Sequence, residues 1–214
     1  MKIGITSDCS SGLEYAPFEH HIKITRTTIH FKDEELIDGI DIKAEEFYRR
    51  LKETDIVPST SAPSLGEISK RVEELKAEGC TDVIHFPISF GLSAYGENLL
   101  NAFDNMVEGV KLHVFNCHSA CLMEGYCAHY AEILAERGYT VEEIMDECQK
   151  FADQTVAYLI VDDLKYLVKN GRLNAVSGFI GGLAKIKPIL QLAKNGTIAV
   201  SYTHLRAHET VLDL

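Results

Sequence analysis

The 214-residue sequence lacks both an excess and a cluster of basic residues. It contains 32 acidic and 21 basic side chains, which gives a formal net charge of -11 at pH 7. Proteins that bind nucleic acid nonspecifically, or that bind anionic membranes, normally present a basic face because their partners carry dense negative charge. The composition therefore argues against both classes of partner.

Long apolar runs are also missing. No uninterrupted apolar segment approaches the roughly 18 residues that a transmembrane helix needs, and no charged and then apolar leader follows Met1. We therefore expect a cytoplasmic protein without stable membrane insertion.

Two chemical motifs are absent as well. None of the six cysteines forms a CxxC pair, and in a reducing compartment we expect free thiols. Cys117 and Cys121 would share a helix face at their spacing, but small apolar cysteines in a core explain it at least as well, so no metal site is predicted. No glycine-rich GK[ST] loop for nucleotide phosphates occurs, and no cofactor is predicted.

Apolar strands alternate with amphipathic helices along most of the chain, which is typical of an α/β protein with a parallel sheet. The predicted strands are Ile3–Thr6, Ile22–Phe31, Thr81–Ile88, Leu112–Phe115 and Val156–Val161. Asn195-Gly196, between two apolar runs, predicts a β-hairpin. The pattern indicates two lobes, an N-terminal α/β domain over residues 1–155 and the start of a smaller α/β lobe over 156–200.

Polar segments follow several of these strands, at the sheet edge where open α/β proteins place their sites. Residues 58–64 (PSTSAPS) form a predicted loop that two prolines stiffen and hydroxyls line, and Ser64 with Glu67 predicts a capping box for the next helix. Ser93 lies where a strand gives way to a helix, and the free N–H groups there favour an anion. We expect Asp8, after the first strand, to cap or fix its loop rather than to bind a ligand.

The segment Val161–Leu190 has no ionisable side chain between Arg172 and Lys185. Asn170-Gly171 predicts left-handed residues that end a short amphipathic helix, so Arg172 would stand just after a turn. Two interpretations fit the glycine-rich apolar run that follows. It is either a buried packing helix or an apolar tunnel with one cation at its mouth.

These blocks resemble the DegV family of bacterial fatty-acid-binding proteins, and they occur in the family's order. Val161–Leu173 is similar to the family's vddLkyLkkGGRi segment, with Asn170 in place of a glycine. Residues 58–64 are similar to P-x-TSqPs, and residues 89–93 to the start of SxxLSGTyqsA. This sequence has Ala94 and Tyr95 where the family usually has glycine and threonine.

The resemblance implies a two-lobed DegV-like fold and a carrier that encloses one fatty acid. It implies that hydroxyls and a cation hold the lipid carboxylate, which here would be Thr60, Ser61, Ser93 and Arg172. It further implies a fatty acid kinase as partner, which would form the acyl phosphate. The alternative is an enzyme acting on a small anionic substrate at Ser93 and Thr60, although a nucleophile elbow with G-x-S-x-G spacing is absent.

Residues 201–214 (SYTHLRAHETVLDL) match nothing that the family carries and resemble translated sequencing-adapter tails. We expect this segment to be foreign and the second lobe to be incomplete, which would expose Phe179-Ile180. His204 and His208 lack the glutamate of an HExxH motif, so no metal site is predicted from them.

Overall fold

Four parallel strands form the central sheet of the computed structural model, which describes residues 2–102, 106–173 and 188–202. The strands are β1 (Ile3–Asp8), β2 (Lys23–Thr25), β6 (Asp82–Phe86) and β7 (Lys111–Val114), in the order β2-β1-β6-β7. Helices cover both faces of this sheet, as predicted for an α/β protein.

Two apolar cores flank the central sheet. On one face lie α4 (Leu122–Glu136) and α5 (Val141–Gln154), and on the other lie α2 (Leu65–Ala77) and α3 (Tyr95–Ala102). Gly4 in β1 allows close packing of α2, because a Cβ there would lie 2.8 Å from Cδ1 of Leu75. The carboxyl ends of β1 and β6 lie side by side because the two strands pair in parallel, with Ser7 opposite Phe86.

A second, antiparallel sheet has the order β4-β3-β5, with β3 at Thr28–Phe31, β4 at Glu34–Ile37 and β5 at Ser59–Ser61. It packs against α1 (Ala44–Glu53) around Ile29, Phe31 and Ile42. The prediction of one strand over Ile22–Phe31 was therefore wrong. The segment divides because β2 pairs with β1, whereas β3 pairs with β4 and β5.

A third sheet, also antiparallel, is formed by β8 (Tyr158–Ile160), β9 (Ile189–Leu192) and β10 (Ile198–Tyr202), in the order β10-β9-β8. The hairpin predicted at Asn195-Gly196 joins β9 to β10 and is confirmed, with Gly196 at φ 77°. The short helix α6 (Lys165–Lys169) follows β8, as the spacing of its apolar residues predicts. The division at residue 155 stays a prediction.

Local signals placed several helix ends correctly. Thr140 and Glu143 form the reciprocal capping box that begins α5. The capping box predicted at Ser64 forms only in part: the Ser64 hydroxyl accepts a hydrogen bond from the Glu67 amide at 3.1 Å and caps α2, but the Glu67 carboxylate pairs with Arg71 and does not return to the Ser64 amide. Within the described ranges, no helix is both long and apolar enough to span a bilayer.

Candidate functional site

The loops that follow β1 and β6 are joined by the side chain of Asp8. Its Oδ1 accepts a hydrogen bond from the Ser10 amide at 2.8 Å, and its Oδ2 accepts one from the Ile88 amide at 2.8 Å. Asp8 caps the 3₁₀ turn Cys9–Ser11, so its predicted role in fixing this loop is confirmed. The bond to Ile88 holds the backbone that leads into residues 89–93.

Residues 89–93 form a turn that packs on the β9–β10 hairpin. The Ser89 hydroxyl donates to the Gly196 carbonyl at 2.9 Å, and the Ser89 amide donates to the Ser119 carbonyl at 2.8 Å. Gly91 permits this approach, since a Cβ there would lie 2.6 Å from the carbonyl carbon of Gly196. The turn is therefore fixed from both sides.

Ser93 closes this turn immediately before α3. Its amide donates to the Ser89 carbonyl at 3.1 Å, and its Oγ accepts a hydrogen bond from the Tyr95 amide at 3.2 Å. The hydroxyl is half-buried and keeps its proton for another acceptor. Among residues 2–102, 106–173 and 188–202, no histidine or carboxylate hydrogen-bonds to it, so no general base stands beside it.

Thr60 and Ser61 lie on an edge strand and not in a loop. Residues 59–61 form β5 because their backbone pairs with β3, in a register that places Thr60 opposite Ile29 and Ser61 opposite Thr28. Successive side chains of a strand point to opposite faces. Ser61 Oγ lies 2.6 Å from Nε2 of His30, and both Thr60 and Ser61 are exposed.

Arg172 stands just beyond the turn that ends α6. The predicted turn forms, but only Gly171 is left-handed, with φ 73°, whereas Asn170 has φ -87°. The prediction that Asn170 is also left-handed was wrong, because a single positive-φ residue suffices to end the helix. The Arg172 guanidinium is exposed; it donates from Nε to the Leu92 carbonyl at 3.3 Å and from Nη1 to the Asn170 carbonyl at 2.5 Å.

Three segments that are distant in sequence meet here. Asn170 Nδ2 donates to the Pro58 carbonyl at 3.4 Å, two residues before Thr60, and Arg172 donates to Leu92, next to Ser93. Within the described part of the chain, two of the five guanidinium N–H groups are used, and both bond neutral carbonyls. These contacts bring together the segments that carry Arg172, Ser93 and Thr60, and a guanidinium and hydroxyls are groups that can bind a carboxylate.

Most of the apolar run proposed as a tunnel lies outside the described residues. Leu173 is buried at its start. Residues 174–187, which include Phe179-Ile180, lie outside the described residues. So do residues 203–214 with His204 and His208.

A buried polar cluster behind the site had no counterpart in the sequence analysis. Glu124 in the first turn of α4 is fully buried, with Oε1 2.9 Å from Ser7 Oγ and Oε2 2.9 Å from Ser10 Oγ. Burial raises the pKa of the Glu124 carboxyl well above its ordinary range, and the nearby Asp8 raises it further. One signal was available, because Glu124 occupies the same face of α4 as the buried Cys127 and Ala128.

A second buried polar group lies on the opposite face of the sheet. His85 in β6 is fully buried, with Nδ1 2.9 Å from Thr6 Oγ1, and its ring meets that of Tyr95 edge to face. Burial lowers the pKa of His85 to about 3, so the ring is neutral at physiological pH. Tyr95 stands where the DegV family usually has threonine, and its buried side chain anchors the start of α3 next to Ser93.

Four of the six cysteines, Cys80, Cys117, Cys127 and Cys148, are buried, whereas Cys121 is exposed and Cys9 is partly exposed. Cys117 and Cys121 both precede α4, so they do not share a helix face, and Cys117, Cys127 and Cys148 are buried in one core. Across the described ranges, no group of three or more histidine, cysteine, aspartate or glutamate side chains could hold a metal ion.

A family model described as "Uncharacterised protein, DegV family" matches residues 2–212. A DegV domain-containing protein from Staphylococcus aureus (strain N315) is 35% identical over 193 residues, which are 89% of this chain and 67% of the relative. The family match thus extends into residues 201–214, and the foreign origin of that segment stays a prediction.

Solved structures agree with this match. A fatty acid binding DegV family protein from Streptococcus agalactiae superposes with a TM-score of 0.84 at 25% identity, over 95% of this chain and 72% of that protein. DegV from Bacillus subtilis, described as a fatty acid binding protein, has a TM-score of 0.82 at 31% identity, over 97% of this chain and 73% of that protein. The predicted two-lobed α/β architecture is confirmed by these neighbours.

Proposed function

Because the chain belongs to the DegV family, we propose that it binds a fatty acid and serves as a carrier, without catalytic turnover of its own. The solved relatives described as fatty acid binding proteins support this proposal. The protein would act in the cytoplasm and need no cofactor.

The observation that carries the proposal is the meeting of three polar segments beside Leu173, the first residue of the apolar run. Arg172 and Asn170 reach the carbonyls of Leu92 and Pro58, which brings residues 58–61 and 89–93 together. A carboxylate that leaves water needs hydrogen bonds and a counter-charge. Arg172 would provide the charge, and Ser93 would provide a donor hydroxyl.

Thr60 and Ser61, the other two residues assigned to the site, would contribute to binding in different ways. Thr60 is the hydroxyl of β5 that we assign to the carboxylate together with Ser93. Ser61 already contacts His30 and lies on the other face of β5, so it would act by ordering the strand or by binding from the rim.

The acyl chain would supply most of the affinity. Each buried methylene contributes about 0.8 kcal/mol, so a long chain favours an apolar enclosure more than strong head-group contacts. We assign this enclosure to the uncharged segment that begins at Leu173.

We further propose that the bound carboxylate is presented to a fatty acid kinase. The sequence has no GK[ST] loop for a nucleotide, so the phosphoryl chemistry would belong to the partner. An enzyme acting at Ser93 and Thr60 is less well supported, since no base contacts Ser93 in the part of the chain that is described.

The proposal is tested by native mass spectrometry of protein purified from lipid-replete cells, followed by extraction and identification of the ligand. One fatty acid per chain is the expected result. Apo protein that also fails to take up added palmitic acid would refute it. Incubation of the pure protein with acyl esters tests the rival, because turnover would show an enzyme.

A further inference from the structure

The Glu124 carboxyl lies in a network that contains more close oxygen pairs than hydroxyl protons. Ser7 Oγ lies 2.7 Å from the Phe86 carbonyl and 2.9 Å from Glu124 Oε1, while Ser10 Oγ contacts both Asp8 Oδ1 and Glu124 Oε2. These are four oxygen–oxygen contacts, and the two serine hydroxyls supply two protons. With both carboxyls ionised, two of the contacts would have no proton between the oxygens.

A proton on Glu124 completes a third contact. The Phe86 carbonyl can only accept, so if Ser7 donates to it, Glu124 must donate to Ser7. Asp8 differs from Glu124, since it accepts hydrogen bonds from two backbone amides, those of Ser10 and Ile88. Of the two acids, Asp8 is therefore suited to carry the negative charge and Glu124 to carry the proton.

The surroundings of Glu124 favour the same assignment. The titratable groups that face it are Asp8 at the end of β1 and Cys117 after β7, and a negative charge on either opposes ionisation of Glu124. The elements packed on α4 otherwise present hydroxyls from the 3₁₀ turn, and α5 contributes apolar residues and the Cys148 thiol. The dipole of α4 favours the ionised form, but Glu124 is fully buried and turned into the core.

We propose that Glu124 is a positioning residue that works as a neutral carboxylic acid. It ties Ser7 and Ser10 to α4, and these fix Asp8, whose Oδ2 holds the Ile88 amide at the entrance to residues 89–93. Ser93 at the end of this segment is thereby held for the ligand. The positional part of the inference rests on the proposed fatty-acid-binding function, whereas the protonation state of Glu124 does not.

The linkage between folding and pH follows from the raised pKa. In the folded protein Glu124 keeps its proton at pH values where the unfolded chain, with an ordinary carboxyl pKa of 4.5, has released it. The contribution of this proton to stability is complete below the unfolded pKa and is lost as the pH rises through the folded pKa. Glu124→Gln keeps a donor for Ser7 and an acceptor for Ser10, and it removes the titration.

Urea unfolding of the parent and of Glu124→Gln between about pH 5 and pH 9 tests the protonation state. As the pH rises, the folding equilibrium constant of the parent should decrease relative to that of Glu124→Gln by up to about tenfold per pH unit. The decrease should stop once the pH exceeds the pKa of Glu124 in the folded protein. Infrared spectra should show a protonated carboxyl band that Glu124→Gln lacks. Parallel unfolding profiles without such a band would overturn the proposal.

A matched control on the same helix is Glu132→Gln. Glu132 is also nearly buried, but it accepts from the His21 amide and contacts His129, far from Ser7 and Ser10. The affinity of Glu132→Gln for palmitic acid should vary with pH in the same way as that of the parent.

Palmitic acid binding over the same pH range tests positioning. The parent should lose affinity as Glu124 ionises, while Glu124→Gln should show a flatter profile. Parallel affinity profiles of these two proteins would overturn the positioning role. A parent that binds no palmitic acid at any pH would instead overturn the proposed function, and the unfolding experiment would still decide the protonation state.

Discussion

Individual side chains at the candidate site differ in what they have left to offer a ligand. The Ser93 hydroxyl accepts a hydrogen bond from the Tyr95 amide and can still donate its own proton. The Arg172 guanidinium donates only to neutral carbonyls within the described residues, so its charge is not neutralised there. Ser61, in contrast, already contacts His30. We therefore assign the carboxylate to the residues that still have hydrogen-bond donors available.

Removing the hydroxyl of Ser93 should weaken fatty acid binding. We expect Ser93→Ala and Thr60→Val to cost about 0.5 to 1.5 kcal/mol each, the usual value of one hydrogen bond. Isothermal titration with palmitic acid measures this loss. Thr140→Ala is the control, since it removes a hydroxyl that caps α5 and lies outside the site. Equal affinities for palmitic acid and its methyl ester in the parent would contradict the assignment of any head-group contact.

Replacement of Arg172 should have a larger effect. Arg172→Met removes the counter-charge, and we expect a loss of about 1.5 to 3 kcal/mol, as for hydrogen bonds to charged groups. Arg172→Lys keeps the charge but not the planar fork, so its affinity should be intermediate. The same titration checks both, and a palmitic acid affinity of Arg172→Met equal to the parent's would rule out a direct contact.

At the scale of elements, the site depends on contact between the turn at residues 89–93 and the β9–β10 hairpin. The contact is a close one between glycine backbones, at Gly91 and Gly196, and the Ser89 hydroxyl reinforces it. A Cβ at Gly91 would meet backbone atoms of Asn195 and Gly196, which cannot move aside by a side-chain rotation. The hairpin should therefore hold the turn in the position that ligand binding needs.

Gly91→Ala should separate these two elements. The added Cβ would meet the Gly196 backbone at 2.6 Å, so the turn must move and palmitic acid affinity should fall at least several-fold. Gly66→Ala is the matched control, because its Cβ would meet only Ser64 Oγ at 3.7 Å, and it should raise stability by up to about 1 kcal/mol through better helix propensity. Unimpaired binding by Gly91→Ala would show that the contact does not support the site.

At the scale of the whole molecule, ligand binding should be linked to folding, because the site is built from three segments that are distant in sequence. Residues 58–61, 89–93 and 170–172 approach each other only in the folded chain. A ligand that binds only the folded state stabilises it in proportion to the logarithm of its concentration over Kd. Stability should therefore report on occupancy.

Removal of lipid should lower the melting temperature, and palmitic acid should restore it. At a free concentration of about 100 times Kd the expected stabilisation is about 2.7 kcal/mol. Differential scanning calorimetry of lipid-free protein, with and without palmitic acid, measures the change. Arg172→Met should show a smaller shift at the same concentration, and an equal shift would place the carboxylate elsewhere.

Local chemistry in the sequence was sufficient for the features that depend on neighbouring residues. The helix start at Ser64, the left-handed Gly171 and the Asn195-Gly196 hairpin were predicted correctly. Each of these features is determined by groups that lie within a few positions of one another along the chain, so it forms largely independently of the surrounding fold. The resemblance in motif order also predicted the family, which the family model confirms, whereas the residues of the site stay a prediction.

Tertiary structure alone decided which distant groups meet. Arg172 bonds a carbonyl 80 positions away, and Glu124 meets a serine 117 positions away. The same is true of Ser59–Ser61, which becomes a strand only because β3 offers its edge. The partners that complete these hydrogen bonds lie on other elements, and burial then sets the cost of leaving any of them unpaired. No pattern within a short window encodes that choice, because it is made by the packing of the sheet edges and of α4 against β1.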